Sequence, residues 1–264
     1  MFNLFPGAWR YRQFILASIR AEFRTRFARS RLGGLWMIIH PLVQVLIFSF
    51  ILSGLMAARM PGVHTRYAYA IYLMAGTLAW SLFSDIIQRC LTMFIDNGNL
   101  LKKMVFPRIC LPLIVTGSAI TVNIMLLVAI TSVFAVLGHF PGPSFMFLPV
   151  LIILTIGLAT GLGLTLGILN VFMRDIGQIV PILLQVGYWV TPIVYLPEII
   201  PVTYRPWLTL NPLYPLVVGY HDILVFGRSP AWLSLLPVAV LAALSLVFAF
   251  SIFRQAKAEM VDQL

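Results

Sequence analysis

Residues 145–169 read FMFLPVLIILTIGLATGLGLTLGIL and contain no charged side chain. A helix rises 1.5 Å per residue, so about 20 apolar residues suffice to cross about 30 Å of hydrocarbon. Two interleaved glycine pairs lie within the stretch, Gly157 with Gly161 and Gly163 with Gly167. Small residues four apart let helix backbones approach closely in a membrane. The stretch therefore predicts a membrane-spanning helix that packs tightly against its neighbours.

The composition of the whole chain agrees with this interpretation. Of its 264 residues, 61% are hydrophobic and 10% are charged, and the mean hydropathy is +0.98. A typical soluble domain is about 25% charged, so an ordinary soluble domain, a disordered chain, a coiled coil and a disulfide-rich secreted module are excluded. The net charge is +10. Because the basic residues flank apolar stretches and form no folded basic domain, they indicate membrane topology rather than a nucleic-acid partner.

Outward from this stretch, the apolar runs predict six membrane spans. With the N-terminus inside, 14 of the 18 basic residues lie on the cytoplasmic side, which favours cytoplasmic placement of both termini. A seventh span through 213–225 would place Arg254 and Lys257 outside, which fits the charge rule less well. The six predicted spans are 35–57, 69–94, 109–138, 145–169, 179–196 and 231–253.

The N-terminal segment 1–34 carries seven arginines and lacks the apolar core of a signal peptide. Its apolar side chains recur every four residues at Ile15, Ile19, Phe23 and Phe27. This spacing predicts an amphipathic helix in the membrane interface. The alternative is a plain basic flank that only sets the topology.

Chemistry-bearing residues are sparse. Asp85 and Arg89 lie four apart, so we expect them to pair on one helix face near the inner end of the second span. His221 and Asp222 are adjacent, so their side chains need not face each other. The sequence has no GxxxxGK[ST], HExxH or GxSxG motif. We therefore expect no catalytic site, metal or cofactor on this chain, which leaves a passive translocation subunit driven by energy from elsewhere.

Four segments, in the same order and over nearly the whole chain, resemble the ABC-2 type polysaccharide exporter permeases, whose members export O-antigen, capsule or teichoic acid. The segments are RTRFARSRLGGLWMIIHPL (24–42), NLLKKMVFPRICLP (99–112), NVFMRDIGQIVPILLQVGYWVTPIVYLP (170–197) and LNPLYPLVVGYHDIL (210–224).

The resemblance implies an all-α integral membrane protein of the bacterial inner membrane. Segment 1–34 would be a cytoplasmic interface helix, and 35–264 would be the ABC-2 transmembrane domain. Two short re-entrant gate helices would lie in 197–230, before the last span. The subunit would form a homodimer and pair with a separate ATPase dimer, which would hold ATP and magnesium.

The resemblance also implies two coupling segments, 95–108 and 170–178, that contact the ATPase. In the first segment, Asn99 suits a helix N-cap and Pro107 would end the helix. The alternative is a solvated basic loop. The residues expected to couple to the ATPase are Asn99, Leu100, Leu101, Lys102, Lys103, Met104, Phe106, Arg108, Arg174 and Asp175.

Two further sites are implied for the substrate. Arg29 and Arg31, beside Leu32 and Gly33, would receive the lipid pyrophosphate headgroup at the inner leaflet. Flat aromatic rings suit sugar faces, so the candidates to line the channel are Trp80, Tyr188, Trp189 and Tyr195. For Tyr188 and Trp189 an interfacial aromatic belt is an equal alternative.

The function implied is export of a lipid-linked polysaccharide, most simply undecaprenyl-pyrophosphate-linked O-antigen, from the cytoplasm to the outer face of the inner membrane. Capsule, teichoic acid or another lipid or drug cargo stays open as an alternative. A stand-alone intramembrane enzyme or secondary carrier is the alternative of a different class, and the lack of mid-span ionisable residues disfavours it.

Overall fold

The computed structural model describes residues 11–27, 35–56, 67–98, 109–256 and 259–263. Every regular element within these ranges is helical, as the composition predicted. Two short 3₁₀ turns lie at Pro143–Phe147 and Pro197–Ile199. The helices in chain order are α1 Arg12–Phe27, α2 Trp36–Met56, α3 Ala68–Asp96, α4 Cys110–Val136, α5 Leu148–Phe172, α6 Ile176–Val190, α7 Arg205–Leu208, α8 Leu213–Leu224, α9 Trp232–Ala256 and α10 Glu259–Gln263.

Four of the described segments are long and apolar enough to cross a membrane. They are α3, α4, the segment Pro143–Phe172 that includes α5, and α9. The 25 residues of α9 extend about 38 Å, which exceeds the hydrocarbon thickness of about 30 Å. These four coincide with the second, third, fourth and sixth predicted spans. Helix α2 occupies the first predicted span, and its crossing of the bilayer stays a prediction.

The predicted span 179–196 is helical only as far as Val190, where α6 ends. Pro192 explains the early end, because a proline disfavours the helical backbone conformation in the residue before it. That residue, Thr191, is extended with φ −81° and ψ 134°. The 15 residues of α6 extend only about 22 Å. Helix α6 is therefore too short to cross by itself, and the count of six spans stays a prediction.

Residues 197–230 contain two α-helices of unequal length, α7 and α8. Helix α8 covers 12 residues and extends about 18 Å, whereas α7 is a single turn. Gly227 follows α8 with φ +63°, a backbone conformation that favours glycine, and it lets the chain turn towards α9. The re-entrant placement of α8 stays a prediction.

The core of the bundle is the stack of α3, α5 and α9. The two glycine pairs of α5 face different neighbours: Gly163 and Gly167 face Cys90 of α3, whereas Gly157 and Gly161 face α9. Each pair therefore makes one close helix crossing, as the spacing predicted. The buried side chains of α3 and α5 form one continuous hydrophobic core with those of α9.

Helix α1 packs against α4. A Cβ atom built on Gly117 of α4 would lie 2.6 Å from Ile19 Cδ1, so glycine is what allows this approach. The placement of α1 in the membrane interface stays a prediction. The residues expected to receive the lipid headgroup (Arg29, Arg31, Leu32 and Gly33) and the first coupling residues (99–108) lie outside the described residues.

Candidate functional site

A cavity of about 860 Å³ lies between α2, α3, α4 and α6. It follows α3 from Thr77 to Arg89, a distance of about 18 Å at the rise of a helix. The end of the cavity at Arg89 lies near α1, because Arg89 pairs with Glu22 of that helix. The end at Thr77 lies towards α8, because the neighbouring Gly76 faces His221. We name these the α1 end and the α8 end.

Polar side chains of α3 form one wall of the cavity. Ser81 and Ser84 donate to the carbonyls of Leu78 and Trp80, at 3.0 and 2.9 Å, so their hydroxyl protons are satisfied within the helix. From α4, Asn123 Nδ2 donates to the Leu78 carbonyl at 3.1 Å. The sequence reasoning missed this wall, although polar residues at helical spacing within an apolar span are its signal. The polar residues along this face of α3 are Thr77, Ser81, Ser84, Asp85 and Gln88.

Aromatic rings form another part of the cavity wall, where α6 meets α3. Trp80 of α3 and Tyr188 of α6 meet edge to face with centroids 5.7 Å apart, and Trp189 follows Tyr188 at the same centroid distance. Gln44 of α2 donates to the Tyr188 hydroxyl oxygen at 3.4 Å. A Cβ atom on Gly187 would lie 3.1 Å from the Trp80 ring, so the glycine makes room for this arrangement.

Three of the four aromatic residues expected to line a channel therefore lie in the cavity wall. Tyr195 does not: it lies in the turn after α6, where its hydroxyl donates to the Val190 carbonyl at 2.8 Å. Its backbone carbonyl accepts a bond from the Tyr72 hydroxyl at 3.2 Å. The passage of substrate past any of the four stays a prediction.

A charged network closes the α1 end of the cavity. Arg89 Nε donates to Asp85 Oδ1 at 2.8 Å, which confirms the predicted pair. The same guanidinium pairs with Glu22 of α1. Glu22 Oε2 also accepts a 2.6 Å hydrogen bond from Ser118 of α4. The sequence reasoning missed Glu22, because 67 residues separate it from Arg89 and no local pattern relates them.

A second cavity, of about 320 Å³, lies beyond this network between α1, α3 and α4. Its wall includes Phe14, Asp96 and Leu111. Arg89 lines both cavities. The arginine side chain is therefore part of the partition between them.

The link between α5 and α6 presents two of the expected coupling residues. Arg174 and Asp175 are exposed in a tight turn. The turn is anchored to the core, because Asn170 Nδ2 donates to the Leu91 carbonyl of α3 at 2.8 Å and Gly177 packs against the Asn170 amide. This arrangement leaves both charged side chains available to a partner.

At the α8 end, His221 and Asp222 contact different partners and form no dyad. The His221 ring stacks on Tyr72 at 3.7 Å, and its Nε2 donates to the Tyr72 carbonyl at 3.1 Å. Helix α8 is too short to span the membrane. Burial lowers the pKa of His221 to about 3, so the ring is neutral near pH 7. Asp222 Oδ1 accepts from Arg228 Nε at 2.7 Å. The contacts of His221 hold α8 against α3, whereas the Asp222–Arg228 pair lies within α8 and the turn that follows it.

The sequence model of the ABC-2 type transporter family matches residues 13–225. The chain belongs to this family. The match includes all four helices that line the larger cavity. As a member of the ABC-2 family, the chain is a transmembrane subunit of an ABC transporter, and its apolar helices fit insertion in a membrane.

Several curated ABC-2 relatives are similar over most of their length. An O-antigen export system permease protein RfbA of Klebsiella pneumoniae is 28% identical over 210 residues, 78% of each chain. The protein of the same name from Myxococcus xanthus is 25% identical over 266 residues, with both chains fully covered. The polysialic acid transport protein KpsM of Escherichia coli is 27% identical over 237 residues, 88% of this chain and 89% of that protein.

Proposed function

We propose that this chain is the channel-forming subunit of an ATP-driven exporter of lipid-linked polysaccharide. Its cargo is undecaprenyl-pyrophosphate-linked O-antigen, and it moves from the cytoplasm to the outer face of the bacterial inner membrane. The α1 end of the cavity faces the cytoplasm. The observation that carries the proposal is the cavity of about 860 Å³, lined by both polar and aromatic side chains, within an apolar helical bundle. The names of the relatives support the class of cargo.

The polar and aromatic side chains of the cavity wall suit a sugar chain. A pyranose ring presents C–H groups on its faces and hydroxyls around its edge. Trp80 and Tyr188 offer flat rings to the faces, whereas Asn123 and Gln185 offer amides to the hydroxyls. Aromatic contacts need no fixed register, so a repeating polymer can slide past them.

Energy comes from a separate ATPase dimer, which binds ATP and magnesium, and the subunit works as a homodimer. Residues 99–108 of the first coupling segment (95–108) and the exposed Arg174 and Asp175 are the contact points on this chain. Arg29 and Arg31, beside Leu32 and Gly33, receive the pyrophosphate. A guanidinium fork matches phosphate oxygens, which is the physical reason for placing that group there.

The aromatic wall gives the first test of this function. Trp80→Ala is expected to slow glycan export by roughly fivefold or more, since each aromatic contact contributes about 1 kcal/mol. Trp80→Phe keeps a ring and should retain most of the export. The matched control is Phe248→Ala, which removes an exposed aromatic ring of α9 away from the cavity. The measurement is surface glycan per unit of membrane-inserted protein, and parental export by Trp80→Ala would contradict the channel role.

The nature of the glycan has its own test. Deletion of the gene should leave an undecaprenyl-linked O-antigen on the cytoplasmic side of the inner membrane. The relative named as a polysialic acid transporter favours one alternative, a capsular polysaccharide, and accumulation of that glycan would replace O-antigen as the cargo. Accumulation of a polyol-phosphate polymer would identify a teichoic acid, and accumulation of no polymer would point to another lipid or a drug.

The orientation of the bundle is tested by thiol labelling in a background free of cysteine. With both termini cytoplasmic, Gly142→Cys and Tyr204→Cys should react with an impermeant reagent in spheroplasts, and Ala258→Cys should react only after permeabilisation. The reason is the 14 to 4 distribution of basic residues. Labelling of Ala258→Cys in sealed spheroplasts would refute this topology.

A further inference from the structure

The partition between the two cavities consists of few charged atoms. Arg89 lines the cavity of about 860 Å³ on one side and the cavity of about 320 Å³ on the other. Asp85 lines only the larger cavity, and Glu22 lines only the smaller one. The Arg89 guanidinium, which pairs with both carboxylates, therefore lies where the two cavities would otherwise meet.

The same atoms hold α1 on the bundle. Glu22 binds Ser118 of α4 and Arg89 of α3, so one carboxylate of α1 bridges two membrane helices. Beside it, Ile19 fits against Gly117. Hydrogen bonds between charged groups are stronger than neutral ones, and here the Arg89 side chain is largely shielded from solvent, with 14% of it exposed.

One atom of the network lacks a partner. Asp85 Oδ2 is buried and accepts no hydrogen bond from any described residue. Arginine and carboxylate groups often pair through two parallel bonds, but Arg89 gives only its Nε to Asp85, while its Nη1 binds Glu22. An end-on pairing of Nη1 and Nη2 with Asp85 would satisfy Oδ2 and would remove the arginine bond to Glu22. The network thus admits a second arrangement besides the described one, in which Asp85 holds the guanidinium by two bonds and Glu22 has lost its arginine bond.

We propose that Glu22, Arg89 and Asp85 form a gate at the α1 end of the cavity. In the described arrangement Arg89 bridges both carboxylates, α1 is held on α4, and the cavities are separate. When Arg89 turns onto Asp85, α1 is released and the two cavities join. Only the identity of the substrate that passes the gate, the glycan, rests on the proposed function.

The test follows α1 directly and needs no glycan. Nitroxide labels on Leu16→Cys of α1 and Leu113→Cys of α4, with Cys90 and Cys110 replaced by alanine, report the distance between the two helices. Both labelled side chains are exposed. Glu22→Gln keeps the size of the side chain but removes its charge. It should shift the ratio of docked to released α1 by about tenfold, and a population at longer distance should appear.

Three controls define the cause. Asp96→Asn removes a carboxylate of the smaller cavity that forms no described salt bridge, and it should leave the distance unchanged. Gly117→Val should release α1 by steric contact with Ile19. The charge swap Glu22→Lys with Arg89→Glu should restore the short distance. An unchanged distance in Glu22→Gln, or a swap no better than its single variants, would overturn the gate.

Joining of the cavities has a separate readout. Ser84→Cys, in the wall of the larger cavity, is labelled by an impermeant thiol reagent from the cytoplasmic side of inverted vesicles. Glu22→Gln should accelerate this labelling about tenfold. A longer helix distance without faster labelling would mean that the network only anchors α1, and the gate would be refuted. Both effects of Glu22→Gln, found in a protein whose parent exports no glycan, would refute the proposed function and leave the gate standing.

Discussion

Gly167→Ala is expected to prevent the bundle from assembling correctly. A Cβ atom on Gly167 would overlap the backbone carbonyl oxygen of Cys90, and on Gly163 it would lie 2.9 Å from Cys90 Cβ. Neither backbone has room to retreat, because α3 is packed on its other sides by α4 and α8. Overlap with a backbone atom at a helix crossing belongs to the most destabilising class of substitution, which costs about 4 kcal/mol or more.

Gly157→Ala is the matched control on the same helix. A Cβ atom there would lie 3.5 Å from Ala242 Cβ, an ordinary contact. Both substitutions gain the same helix propensity, about 1 kcal/mol, so only the crossing distinguishes them. The measurement is the yield of monodisperse protein in mild detergent and its thermal midpoint. Equal behaviour of the two variants would contradict the close crossing at Gly167.

Leu101→Asp and Met104→Asp are each expected to abolish glycan export while leaving membrane insertion intact. The segment between Asn99 and Pro107 is expected to form a short capped helix, with its apolar residues on one face. In the proposed complex this face lies in a groove of the ATPase. A carboxylate placed there is desolvated without a partner, which costs several kcal/mol and is enough to dissociate the contact.

The control for this prediction is the double variant Lys102→Arg and Lys103→Arg. It keeps the charges that set topology and leaves the apolar face intact, so insertion and export should both persist. The measurement pairs co-purification of the ATPase with export in each variant. A full complex and full export in both aspartate variants would rule out docking and favour a solvated basic loop.

The sequence was sufficient wherever neighbours along the chain decide the outcome. Apolar runs long enough to cross hydrocarbon located α3, α4, α5 and α9, because backbone polar groups in lipid must bond within their own helix. The pairing of Asp85 with Arg89 followed from their spacing of four on one helix face. The end of α6 could have been placed correctly from Pro192, since its effect on the preceding residue is local.

The site itself depended on contacts between distant segments. Glu22 meets Arg89 across 67 residues, and Asn123 meets the Leu78 carbonyl across 45. The sequence named Trp80, Tyr188 and Tyr195 alike, but the packing of α6 on α3 put the first two in the cavity wall. Tyr195 lies instead in the turn that follows the end of α6. Local hydropathy determines that a segment is a helix in lipid. Which of its faces meets another helix is decided by the packing of all the helices together, and that packing forms the cavity.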